Sequence, residues 1–122
     1  MSLSGKIVLI SDGGHPSAEP LAERFHSEGA AVAVNDPAGG RFSFDCASPD
    51  GAEGLVEAVV RAFGRLDVLL HNHNLVEAKD FFQCGEEDVL RSLRYNLKTA
   101  FLLTQAAGRR MKERGDGNLL YL

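Results

Sequence analysis

Short, nearly continuous apolar runs alternate along this chain with longer stretches in which apolar residues return every three or four positions. The run Lys6-Ile7-Val8-Leu9-Ile10-Ser11 stops at Asp12-Gly13-Gly14-His15-Pro16, which predicts a buried strand followed by a turn. Ala18, Leu21, Ala22 and Phe25 then recur at helical spacing, with Ser17 as the expected N-cap, Pro20 in the first turn and Gly29 as the stop. Residues 30–35 predict a second strand, closed by Asp36-Pro37-Ala38-Gly39-Gly40, and Arg41-Phe42-Ser43-Phe44 a short third one. Leu55, Val56, Val59, Val60 and Phe63 form the apolar stripe of a helix over residues 50–63, capped by Ser48. A fourth strand at 66–70 ends in His71-Asn72-His73-Asn74. A long helix over 86–113 contains no proline and is stopped by Gly115 and Gly117, and Asn118-Leu119-Leu120-Tyr121-Leu122 begins a fifth strand.

Strands that are apolar throughout, alternating with amphipathic helices, predict one parallel sheet with helices on both faces. Right-handed crossovers then give a doubly wound α/β domain over residues 1–122 with five strands in the order 3-2-1-4-5. Ligands of such sheets bind beyond the carboxyl ends of the strands, where the order reverses. That gathers the turn from Ser11 to Ser17, Asp36, Asp45 and residues 71–74 around one crevice.

Composition changes this picture mainly by exclusion. The 122 residues carry a net charge of −4 and no cluster of Lys or Arg, so nucleic acid and anionic membrane are poor partners. No apolar stretch approaches the ~20 residues of a membrane span, and the amino terminus lacks the apolar core of a signal peptide, which points to a cytoplasmic protein. Met1-Ser2-Leu3 has the look of a partial cloning remnant and carries no weight in the fold. Cys46 and Cys84 have no metal-type spacing and read as buried or half-buried free thiols.

Taken in order, several segments resemble the short-chain dehydrogenase/reductase family. Residues 3–10 look like its opening strand, and residues 29–36 like its second strand, ending in Asp36. Residues 63–72 look like the approach to its Asn-Asn-Ala-Gly motif, and Asn96-Leu97-Lys98-Thr99-Ala100-Phe101 like the middle of its long fourth helix. The resemblance implies a Rossmann-type fold and NAD-dependent oxidoreductase chemistry. The family's Thr-Gly-x-x-x-Gly-x-Gly turn is altered: Asp12, Pro16 and Ala18 stand where it has glycine. Its Asn-Asn-Ala-Gly motif has become His71-Asn72-His73-Asn74. Its catalytic Ser and Tyr-x-x-x-Lys pair would lie beyond residue 122, and Tyr121, within the fifth strand, is not that tyrosine.

The candidate cofactor residues are therefore Ser11, Gly13, Gly14, Asp36, Asp45 and Asn72. Glycines let a pyrophosphate approach the backbone and the first helix, whereas Asp12 and Glu19 bring carboxylates to that point and Pro16 removes a donor. The turn reads either as a site adapted to another pose or as a weakened one. Asp36 suits the adenosine ribose and would repel a 2′-phosphate, favouring NAD over NADP; an acid before Pro37 is equally ordinary turn chemistry. By resemblance Asp45 contacts adenine, with a turn acid near Ser48 as the alternative. Asn96 matches the family's catalytic Asn, which acts through a helix whose geometry is locally disrupted; the alternative is a polar residue facing the crevice. His71 and His73 alternate along a strand end and could join Asp12 around a metal, but no spacing fixes a third ligand, so no metal is expected. His15 and His26 are expected at the surface.

Two functions follow. One is an oxidoreductase of this family represented by its cofactor-binding part, without the residues for proton transfer. The other is a non-catalytic Rossmann module binding a nucleotide or a protein partner. A phospho-receiver domain wants paired acids after strand one, and only Asp12 is there. The helix over 86–113 is apolar on more than one side and, in the resembling family, lies in the dimer interface, so a homo-oligomer through it is expected.

Overall fold

The computed structural model describes residues 2–76 and 78–122. Its elements are β1 (Ile7–Ile10), α1 (Ala18–Ser27), β2 (Ala31–Val34), α2 (Pro49–Phe63), β3 (Val68–His71), α3 (Glu86–Ser92), α4 (Thr99–Arg114) and β4 (Asn118–Tyr121). The strands form one parallel sheet in the order β2-β1-β3-β4. Leu9 stands opposite Ala33 on one side and Leu69 on the other, and Leu69 opposite Leu119.

Among the described residues the sheet has four strands, not the expected five. Residues 41–44 lie in the expected place beside β2, but only one parallel bridge forms, between Asn35 and Phe42. The reason lies in the Asn35 side chain. Its Oδ1 accepts the Phe44 N–H at 2.9 Å and its Nδ2 donates to the Phe44 carbonyl at 3.0 Å, replacing the main-chain ladder that a third strand would use. Gly39 and Gly40, both at positive φ, turn the chain into this position.

Two apolar layers enclose the sheet. On one face Leu9, Ala33 and Leu69 pack against Leu55, Val56 and Val59 of α2 and Leu103, Ala106 and Ala107 of α4. On the other, Val8, Ile10, Val68 and Leu70 meet Ala18, Leu21, Ala22 and Phe25 of α1. β1 is buried on both faces, and each large side chain so enclosed contributes about 1.5–3 kcal/mol. Ser48 caps α2 as expected, accepting the Gly51 N–H at 3.4 Å. Ser17 does not cap α1 with its side chain; its hydroxyl pairs with His15 Nδ1 at 2.8 Å.

The long helix runs without a break from Glu86 to Arg114, but Leu93–Lys98 between α3 and α4 is wound as a π-helix. Thr99 Oγ1 donates to the Tyr95 carbonyl at 2.5 Å, a back-bond of the kind that bends helices. Such π turns widen a helix locally and concentrate at functional sites. Among the described residues no helix is long and apolar enough to cross a membrane.

Candidate functional site

The carboxyl ends of β1, β2 and β3 and the π segment converge on one crevice. Its floor is a buried polar cluster: Ser11, Asp12, Asn35, His71, Asn72, His73 and Thr99 are each at most 6% exposed. Asn72 holds the turn after β1 to the end of β3. Its Oδ1 accepts the Asp12 N–H at 2.7 Å and its Nδ2 donates to the Asp12 carbonyl at 2.8 Å. The Ser11 hydroxyl lies 3.2 Å from Asn72 Oδ1 and 2.8 Å from His73 Nδ1. His71 Nε2 pairs with Thr99 Oγ1 at 2.8 Å, and the two imidazoles stack with centroids 5.2 Å apart.

These partners determine the electrostatics. Burial, reinforced by His73, pushes His71 down from 6.5 to about 4. Burial does the same to His73, also to about 4. Both rings are therefore neutral at pH 7 and act as hydrogen-bonding groups. Each ring has a nitrogen committed to a hydroxyl, His71 to Thr99 and His73 to Ser11. Among the described residues no group of three His, Cys, Asp or Glu could hold a metal ion. Burial raises the Asp12 carboxyl; the Gly14 N–H opposes that shift and the Asp36 charge adds to it. Burial and the Asp45 charge push the Cys46 thiol up to about 12, so it is inert. Cys84 is exposed rather than half-buried. His26 is at the surface as expected, whereas His15 is half-buried against Ser17.

The predicted site residues come together unevenly. Gly13 packs so closely on β2 that a Cβ there would lie 2.9 Å from Val34 Cγ1 and 3.1 Å from Asp36 Cβ, which requires glycine. Asp36 Oδ1 accepts the Ala38 N–H at 2.9 Å, the turn chemistry expected of an acid before Pro37. Asp45 is exposed; Oδ1 accepts the Ala47 N–H at 2.9 Å, and Oδ2 lies 3.4 Å from Arg94. Asn96 faces the loop after β3: its Oδ1 accepts the Leu75 N–H at 2.7 Å and its Nδ2 donates to the Leu75 carbonyl at 3.0 Å. Between Asp45, Cys46, Ala47, His73, Tyr95 and Thr99 lies an open cavity of about 270 Å³.

Sequence reasoning missed Tyr95, Thr99 and Asn35. The Tyr95 hydroxyl donates to Asp12 Oδ2, and its ring meets His73 edge-on at 5.0 Å. Tyr95 and Thr99 are four residues apart on the long helix and share a face, a signal the sequence did carry. Asn35 looked like the polar end of a strand, and nothing local showed that its amide would anchor residues 42–46.

Tested against a dinucleotide, the crevice divides. The cavity leaves room at the adenosine side. On the pyrophosphate side, each main-chain N–H of the turn already has an acceptor inside the protein. Ser11 donates to Leu70 O, Gly13 to Asn35 O at 2.6 Å, His15 to Asp12 O and Ala18 to His15 O. Asp12 donates to Asn72 Oδ1, Gly14 to Asp12 Oδ1 at 3.0 Å and Ser17 to His15 Nδ1. Pro16 has no N–H. In this arrangement the turn does not fit a pyrophosphate, which needs those donors.

Comparison with known proteins agrees with the architecture. The family model described as enoyl-(acyl carrier protein) reductase matches residues 17–122. An uncharacterized oxidoreductase of Thermotoga maritima is 34% identical, over 96% of this chain and 53% of its own length. An L-rhamnose 1-dehydrogenase (NAD(P)(+)) of Azotobacter vinelandii is 38% identical, over 90% of this chain and 40% of its own. The chain thus spans about half the length of the curated relatives it matches. Among solved structures, a short-chain dehydrogenase/reductase from Serratia marcescens superposes with a TM-score of 0.82 at 27% identity, covering 99% of this chain and 58% of that one. Sheet order, crevice and relatives agree: the chain belongs to the short-chain dehydrogenase/reductase family.

Proposed function

We propose that residues 1–122 form the nucleotide-binding part of an NAD-dependent oxidoreductase, and that their crevice takes the adenosine end of the dinucleotide weakly. The observation that carries this reading is the open cavity flanked by Asp45, Ala47, His73 and Tyr95 at the carboxyl ends of a parallel sheet, where such folds bind ligands. Asp36, next to cavity-lining Pro37, favours NAD over NADP because its charge repels a 2′-phosphate. Ser11, Gly13, Gly14 and Asn72 hold the turn in shape beneath that ligand. Asn96 acts as a positioning residue by holding the main chain of Leu75. Proton transfer needs a Ser and a Tyr-x-x-x-Lys pair, which residues 1–122 do not supply.

Isothermal calorimetry and an NMR titration with NAD test the reading. Shifts at Ala47, His73 and Tyr95 with a dissociation constant well above the low-micromolar range are expected, together with no steady NADH production from alcohols by the 122-residue chain. Low-micromolar binding, or steady turnover, contradicts it.

The second reading, a non-catalytic Rossmann module that binds a nucleotide or a protein partner, is favoured by the internal pairing of the turn's N–H groups. Both readings include a homo-oligomer. Leu90, Leu93, Leu97 and Phe101 are 46–61% exposed and line one open groove of about 570 Å³ along the long helix. A contiguous apolar face of this kind suits a second copy of the chain. On its other side the same helix packs Ala106, Met111 and, partly buried, Leu102 toward the core.

A further inference from the structure

Asp12 stands where the family's turn has a glycine, and it is not a bystander. Its side chain closes back on the turn, where Oδ1 accepts the Gly14 N–H at 3.0 Å, and Oδ2 accepts the Tyr95 hydroxyl from the π segment across the crevice. A helix-leading turn of this kind offers its N–H groups to an anion. Here an anion is already present, and it is covalently part of the chain. Space beside Gly14 is bordered by carboxylates alone: apart from chain neighbours, a Cβ there would come within 4 Å only of Asp12 Oδ1, at 3.3 Å, and Asp36 Oδ1, at 4.0 Å. The two guanidiniums that line the adjoining cavity already face carboxylates of the chain, Arg94 that of Asp45 at 3.4 Å and Arg91 that of Asp88 at 2.7 Å. Between those ion pairs the cavity wall is formed by Cys46, Ala47, Tyr95 and His73, whose ring burial keeps neutral.

We propose that Asp12, clasped by Tyr95, is a built-in anion surrogate that occupies the anion position of the turn, so that the crevice selects an uncharged nucleoside over the corresponding diphosphate. The inference rests on the reading of the crevice as a nucleotide site and adds what decides its ligand class. Two of the turn's donors are held by side chains that a rotation can withdraw, the Gly14 N–H by Asp12 and the Ser17 N–H by His15, and of these two side chains only Asp12 is a carboxylate. The N–H groups of Gly13, His15 and Ala18 are bound to main-chain carbonyls and that of Asp12 to a buried amide. Asp12 is therefore the one residue whose exchange both releases a donor and removes a charge.

The test is calorimetry of adenosine and ADP binding to the wild-type chain and to Asp12→Asn, Asp12→Gly and Tyr95→Phe, with thermal melts to show that each variant is folded. ADP is expected to bind wild type no more tightly than adenosine. Asp12→Asn removes the charge while keeping the shape, and Asp12→Gly also opens the turn; each is expected to raise ADP affinity about tenfold or more while leaving adenosine within about twofold. Tyr95→Phe keeps the carboxylate and the ring, so discrimination against ADP is expected to persist. A wild-type preference for ADP, or an adenosine-to-ADP ratio unchanged in both Asp12 variants, overturns the proposal. If adenosine binds but the ratio does not move, only the role of Asp12 falls. If adenosine binds to none of the folded proteins, the nucleotide reading of the crevice falls with it.

Discussion

Asp67 and Asp12 are both buried aspartates next to strand ends, at opposite ends of the two central strands, and the protein treats their charges in opposite ways. Asp67, at the amino end of β3, accepts the Ile7 N–H at 2.8 Å and Arg65 Nε at 2.9 Å on one oxygen and Arg114 Nη2 at 3.3 Å on the other. Burial pushes its carboxyl up, but the Ile7 N–H and the two guanidiniums outweigh burial and hold it below 3.8. Asp12, at the carboxyl end of β1, has the Gly14 N–H and the Tyr95 hydroxyl as partners, and burial prevails. A buried carboxylate that is saturated with cations and N–H groups ties elements together; one held by neutral donors costs stability where it stands. The first belongs to the frame, joining β1, β3 and the end of α4. The second belongs to the crevice.

The sharpest way to break this comparison is to neutralise each acid in turn. Asp67→Asn leaves two guanidiniums facing a neutral amide and is expected to destabilise by about 3 kcal/mol, allowing for the partial exposure of both arginines. Asp12→Asn is expected to be neutral or mildly stabilising. Urea unfolding of the two variants decides, and equal losses would erase the distinction between frame and crevice.

Acidity probes the same contrast. The folded histidines titrate near 4 against an ordinary 6.5, so the unfolded chain binds protons first as pH falls. Their neutral burial is harmless above pH 6.5 and costs stability progressively between 6.5 and 4, on the order of 2 kcal/mol for each ring. Asp67, with its folded carboxyl below 3.8, keeps its stabilisation down to that value and loses it as pH falls further through the folded value. Asp12 has the opposite sign: raised above 3.8, it opposes folding at neutral pH, and the penalty fades as the solution acidifies. Melting temperature against pH should therefore decline from 6.5 to 4, and the His71→Asn, His73→Ala double variant should flatten that decline. An unchanged slope would mean that the crevice histidines are not buried in their neutral form.

Smaller effects sharpen the boundary of the crevice. Tyr95→Phe removes one hydrogen bond to a charged group and is expected to cost about 1–2 kcal/mol in wild type and close to nothing in the Asp12→Asn background. Additive losses in that double-mutant cycle would show that the two side chains are not coupled. Smallest of all for folding is Leu93→Lys with Leu97→Lys, on the outer face of the long helix and outside both acid sites. These changes are expected to alter stability by less than about 0.5 kcal/mol while converting a dimer to a monomer by light scattering. A monomeric wild-type chain would remove the case for self-association.

Much of this protein could be read from its residue pattern, because burial imposes period and length on sequence locally. Runs such as Ile7-Val8-Leu9-Ile10 and Val68-Leu69-Leu70 can lie only in the middle of a covered parallel sheet, and Ser48, Gly29 and Gly115 mark helix ends through main-chain geometry that needs no distant partner. The family resemblance lay in the residues of segments such as 29–36 and 63–72, and the unusual Asp12 and Pro16 were visible as departures from it. What the pattern left undetermined were contacts between residues far apart in the chain. Asn35 reduced the expected third strand to a bridge by offering its side chain to Phe44, and Tyr95 reached 83 positions back to clasp Asp12. The π turn that aims Tyr95 and Asn96 carries no mark in the spacing of apolar residues, since the helix continues on both sides of it. Hydrogen bonds between distant side chains depend on where the packed elements place their donors and acceptors. For that reason the sequence alone specified the frame, while tertiary structure decided that the glycine turn would be closed by the protein's own carboxylate.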